Sequence, residues 1–160
     1  MSRSFSLIGI LALCVSLLGC TVQRKNTLEG TWELVSAKYT IGDKTETHQG
    51  WREIKIITKT HVAFLSQKSE RQKFAAAGTD AERLDAAKTF DAGGGTYTLE
   101  GENYTEHIEF FLTPNFVNVS LPFKIKWEGD QWIQTGTIPA KSMGLDDKDW
   151  ELYEVWRRIE

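Results

Sequence analysis

The densest run of chemically capable side chains is Tyr104-Thr105-Glu106-His107-Ile108-Glu109. Strand alternation places Tyr104, Glu106, Ile108 and Phe110 on one face and Thr105, His107, Glu109 and Phe111 on the other. If the first face is interior, Glu106 becomes a carboxylate among aromatics, suited to a cationic or hydroxylated ligand group. If the second is interior, His107 and Glu109 enter together. With His61 as a third ligand they would then suit zinc or iron, which accept imidazole and carboxylate. Glu106 or His107 could also serve an enzyme as acid or base. Spacing alone leaves the choice of face open. Among the cations, Arg52 is the best placed to grip a ligand carboxylate in two-pronged fashion, because it stands between Trp51 and the β run Glu53 to Ile57.

Other arrangements carry less. Gly93-Gly94-Gly95 leads into Thr96-Tyr97-Thr98 and lacks the lysine and helix of a phosphate loop, so a bulge or tight barrel corner explains it better. No serine nucleophile elbow is present, and His48, His61 and His107 are too scattered to define a triad. No cofactor is implied. A formal charge of −3 gives no general attraction to nucleic acid or to anionic lipid.

The elements that must position these residues are mostly β. Segments rich in Val, Ile, Thr, Tyr, Phe and Trp run at 31–39, 51–57, 61–67, 95–100, 103–111, 119–128, 131–138 and 150–159. The glycine-bearing stretches around Gly42, Gly101 and Gly129 supply tight turns between them. Short connections make an antiparallel meander, and closing it into an eight-stranded up-and-down barrel removes the exposed edges. Val119, Leu121, Phe123, Ile125 and Trp127 alternate with polar neighbours, as half-buried strands do. Phe64, Tyr97, Tyr104, Phe123, Trp127 and Trp132 are therefore expected as barrel lining or core, around a space suited to an apolar molecule with a polar end. Residues 69–91 interrupt the β pattern. Ala75-Ala76-Ala77-Gly78 reads as a helix stop and Thr79 with Glu82 as a capping box, predicting two short helices between the third and fourth strands. Leu84, Ala87 and Lys88 would let the second rest an apolar edge on the barrel mouth, as a lid or a plain insertion.

The chain opens differently. Arg3, the apolar run Phe5 to Leu18, and Leu17-Leu18-Gly19-Cys20 resemble the signal and lipobox of bacterial lipoproteins, with Leu18 where a smaller residue is more usual. The resemblance implies cleavage after residue 19, acylation of Cys20, a tether over 20–27 and a single domain over 28–160. It removes Cys14 and modifies Cys20, the two cysteines of the chain. Thr21 after Cys20 resembles outer-membrane sorting, on the periplasmic side or the cell surface. The membrane would be reached through acyl chains, two of which anchor stably where one does not.

Gly30-Thr31-Trp32 in the first strand, with Val155-Trp156-Arg157-Arg158 in the last, resembles the frame of the lipocalin superfamily. In that frame the glycine permits close approach, the tryptophan plugs one barrel end and a late arginine, here Arg158 or Arg157, packs over the indole. Ala92 to Leu99 and Asn103 to Phe111 are similar to uncharacterised lipocalin-like domains of exported Bacteroidetes-type proteins. The resemblance implies a small exported barrel and brings no catalytic residues. The leading expectation is a lipid-anchored barrel binding a small, largely apolar ligand without catalysis, with Arg52, Phe64, Tyr97, Tyr104, Glu106, Phe123 and Trp127 as candidate contacts. The rivals are a barrel enzyme using Glu106 or His107, and a structural or assembly lipoprotein.

Overall fold

The structure, a computed structural model, describes residues 27–160. The signal segment, Cys20 and the tether as far as Asn26 lie outside the described residues. Strands β1 (Gly30–Ile41), β2 (Lys44–Thr47), β3 (Trp51–Ile57) and β4 (His61–Lys68) precede helix α1 (Asp80–Lys88). Strands β5 (Phe90–Glu100), β6 (Asn103–Phe111), β7 (Ser120–Glu128), β8 (Gln131–Ile138) and β9 (Trp150–Arg158) follow it. Each strand from β3 to β9 pairs antiparallel with the next, and β1 pairs with β3 on one side and β9 on the other. Eight strands thus close into a barrel. The ninth, β2, is an addition to the expected count: it folds back on the far half of β1, where Lys38 faces Thr47.

The turns follow from glycine at positive φ, with Gly42, Gly101 and Gly129 at 60°, 62° and 64° in the hairpins β1–β2, β5–β6 and β7–β8. Bulges in β1, between Leu34 and Ser36, and in β6 set which side chains look inward. In β6, Ile108 faces Gly95 but Phe110 faces Gly94, which leaves Glu109 as the extra residue. The inward face therefore changes parity at this point. Tyr104, Glu106 and Ile108 are buried, whereas Phe110 is 72 % exposed and Phe111 turns in against Phe64. Phe110 does not share the face of Glu106, as strict alternation predicted, because the bulge consumes one residue. The glycine run makes the bulge possible: a Cβ on Gly95 would lie 2.0 Å from the His107 carbonyl oxygen. Gly93-Gly94-Gly95 consequently lies inside β5, which starts at Phe90 rather than at residue 95.

Of the two helices expected over residues 69–91, one forms. Thr79 and Glu82 exchange the reciprocal hydrogen bonds of a capping box at its start. Its apolar edge does not rest on the barrel mouth. Leu84 is 56 % exposed, no residue of α1 is buried, and none lines the interior cavity. With mostly Ala, Asp, Glu, Arg and Lys, the helix has too narrow an apolar stripe to dock there.

Candidate functional site

The interior is built in three levels. At one end Trp32 is fully buried, its indole N–H donating to the Leu28 carbonyl at 2.7 Å. The Arg158 guanidinium lies over that indole, 4.1 Å from the ring centroid, and donates to the Glu29 carbonyl at 2.6 Å and to the Thr27 carbonyl. Gly30, at φ 141°, leaves room for this arginine, since a Cβ there would meet Arg158 Nη1 at 2.2 Å. Arg157 points elsewhere and pairs with Glu33 on the outer surface. Trp127 and Trp132 each pack on Trp32 with ring centroids 5.9 Å away, so this end is plugged.

The middle level is ionic and buried. Lys55, 3 % exposed, donates to Glu106 Oε1 at 2.9 Å and to Gln134 Oε1 at 3.0 Å, with Glu154 Oε2 at 4.0 Å. Its ammonium sits 4.6 Å from the Trp156 ring centroid and 5.6 Å from that of Trp132. Burial pulls the Lys55 pKa down, but Glu106, Glu154 and Glu53 outweigh it and hold the group above its ordinary value. Tyr104 donates to Glu106 Oε1 at 2.9 Å, and burial followed by that carboxylate pushes its phenol well up. Trp156 donates to Glu154 at 3.1 Å; burial nevertheless raises the Glu154 carboxyl.

Above this layer a cavity of about 380 Å³ reaches the opposite barrel end. Ile108, Phe111, Phe116, Leu121, Phe123 and Leu152 make its apolar wall, and Lys55, Glu106 and Gln134 make its floor. The facing wall is acidic. Glu53 pairs in register with Ser66, and Ser66 with Asp91, so three adjacent strands present a polar row into the space. The Glu53 side chain is 9 % exposed, and burial, then the charge of Glu154, pushes its carboxyl up to about 8. Burial likewise raises Asp91. His48, whose imidazole burial holds below its ordinary value, lies 3.3 Å from Ser66 Oγ, 3.8 Å from Glu53 and stacks on Trp51. Trp51 and Trp150 also line the cavity.

Of the contacts expected from sequence, Phe64, Glu106 and Phe123 line this cavity. Tyr104 is packed beneath it with no lining role. Tyr97 is half-buried towards the plugged end, where its hydroxyl donates to the Thr58 carbonyl at 2.8 Å, and Trp127 belongs to the plug. Arg52 is exposed on the outer wall, contrary to expectation. Register decides this: Lys55 faces Trp32 and Phe64, Ile57 faces Gly30 and Val62, and Arg52 must take the other parity. The metal alternative fails in the same way. His107 is held by Ser120 at 2.9 Å on the outer face, Glu109 is exposed in the bulge, and His61 is exposed beside Thr60. Among the described residues no group of three or more His, Cys, Asp or Glu side chains is placed to hold a metal ion. Glu106 and His107 likewise leave β6 on opposite faces and share no chamber.

Sequence reasoning missed Glu53, Lys55, Asp91, Gln134 and Glu154. The signal was inverted. In Trp51-Arg52-Glu53-Ile54-Lys55-Ile56-Ile57 the hydrophobic pattern favours Ile54 and Ile56 as interior, yet Ile56 is 40 % exposed and Lys55 is buried. Only the run of Trp51, Glu53, Lys55 and Ile57 at strand spacing hinted at it. No protein-family model and no curated protein sequence matches the chain.

Proposed function

We propose that the chain is a lipid-anchored, lipocalin-like barrel that binds one small, largely apolar molecule through its open end and does not transform it. The observation that carries this reading is the 380 Å³ cavity, whose apolar wall ends on a buried polar floor. Its volume lies in the usual range for small-ligand sites, and the few polar groups at one side would orient an amphiphile. The plug of Trp32, Arg158 and Gly30 supports the lipocalin-like affiliation, and the Leu17-Leu18-Gly19-Cys20 run supports the anchor at Cys20 and an outer-membrane location. Expose the purified full-length chain to a bacterial lipid extract and weigh the complex by native mass spectrometry. A retained small molecule is expected, with retention lost in Leu121→Trp, which fills the cavity; nothing retained by the unaltered chain would refute the binding role and favour a structural or assembly role. Cys20→Ala is expected to move the protein from the membrane to the soluble fraction, and unchanged fractionation would remove the anchor.

A further inference from the structure

The geometry points to an organic cation as the ligand: an ammonium carried on an aromatic or branched apolar body, seated on the Glu53–Ser66–Asp91 row. The inference rests on the cavity being a ligand site and adds the chemical class. Charge balance and position carry it. Three carboxylates, Glu53, Asp91 and Glu106, face the cavity. The one lysine there, Lys55, already gives its protons to Glu106 and Gln134 and stands 4.0 Å from Glu154. A ligand carboxylate would thus meet a spent cation and two further acids, at a cost where burial limits screening. An ammonium meets the reverse. Glu53 and Asp91 stand two strands apart around Ser66, on the order of 10 Å at their backbones, so their inward carboxyls can flank one donor group. Trp51 and Tyr39 also line the cavity, and aromatic rings attract the same charge. The apolar body would then lie across the cavity on Ile108, Phe116 and Leu121.

Binding of this kind displaces a proton. Glu53 is faced by Ser66 from β4, Asp91 from β5, Glu154 from β9, Tyr39 from β1, Lys55 from its own strand and His48 from the β2–β3 connection. Burial and the neighbouring acids keep its carboxyl protonated up to about 8. An arriving ammonium favours the carboxylate, so at neutral pH the complex forms with release of a proton, and affinity for a fixed amine rises with pH up to about 8 and then levels.

Titrate the full-length chain calorimetrically with tryptamine, tryptophol and indolepropionate, which share one aromatic body and differ in the end group. Tryptamine is expected to bind about tenfold or more tighter than the other two, the worth of one charge-assisted hydrogen bond, with a heat that depends on the buffer's ionisation. Glu53→Gln is expected to remove most of that preference and the proton release. Asp91→Asn, at the other end of the row, repeats the test with a reduced preference should the first variant not fold. Equal or tighter binding of tryptophol or indolepropionate overturns the cation inference and leaves the ligand-binding reading standing. Failure of all three, with molecules still retained from lipid extract, overturns the inference alone; failure of all three with nothing retained overturns both.

Discussion

Lys55 shows how a single residue can hold an interior together while weakening it. Its ammonium joins side chains from β3, β6 and β8, and the pairs with Glu106 and Gln134 are nearly sealed from water. Dehydrating such ions costs about as much as their attraction returns, so the cluster is poor evidence for stability. Breaking it is another matter. Lys55→Met leaves Glu106 with Tyr104 alone and Glu154 without its nearest cation, and is expected to lower the unfolding free energy by about 3–5 kcal/mol in urea at neutral pH. Adding Glu106→Gln should recover part of that loss, and a double-mutant cycle that finds strict additivity would show that the two groups are not coupled.

Among the elements, β6 with its bulge decides what the site contains. Glu109 takes up one residue of the strand, turning Phe110 out to solvent and Phe111 into the cavity beside Phe64 and Phe116. Gly95 is the condition for that geometry, because a side chain there would run into the His107 carbonyl and the Glu109 amide. Gly95→Ala is expected to destabilise by about 2–3 kcal/mol, as overpacking with backbone shift does. Gly101→Ala makes the comparison: nothing lies within 4 Å of its missing Cβ, and only the strain of φ 62° remains, about 1 kcal/mol. Thermal unfolding distinguishes them, and equal losses would mean that the bulge does not depend on Gly95. Helix α1 matters less at this scale, since none of its residues lines the cavity.

For the whole molecule, the buried acids make stability depend on pH in an unusual sense. Glu53, Glu154 and Asp91 all hold their protons more tightly in the barrel than in the unfolded chain. A folded state that binds more protons loses stability as pH rises, here from the ordinary carboxyl value through about 8, the value of Glu53. His48 acts oppositely below its ordinary value, because burial disfavours its charged form. Lys55 adds no loss in this window, its pKa lying above the ordinary lysine value. The melting temperature is therefore expected to be highest in acidic buffer near the ordinary carboxyl value and to fall from there to about pH 8, with His48 offsetting part of the fall below its own ordinary value. Glu53→Gln should flatten the fall; an unchanged slope in that variant would show that Glu53 does not titrate there.

The barrel was legible because its signals are local. Glycines at hairpins, runs of β-branched and aromatic residues, and the capping box of Thr79 with Glu82 each act through near neighbours in the chain, so eight strand positions and a helix start could be read directly. The packing of a late arginine over Trp32 was implied by the resemblance to the lipocalin frame, which left Arg157 and Arg158 both open; the structure gives the contact to Arg158. The site was less so. Glu106, Phe64 and Phe123 fall where alternation alone can put them, whereas Arg52, Tyr97 and Trp127 do not reach the cavity and Glu53, Lys55 and Asp91 do. A strand's inward face is fixed by register against its neighbours and by bulges such as that at Glu109, and one residue of slip reverses every side chain. Sequence by itself determined the strands and their turns; the closed barrel decided which arginine covers Trp32 and that charge, rather than isoleucine, faces inward from β3.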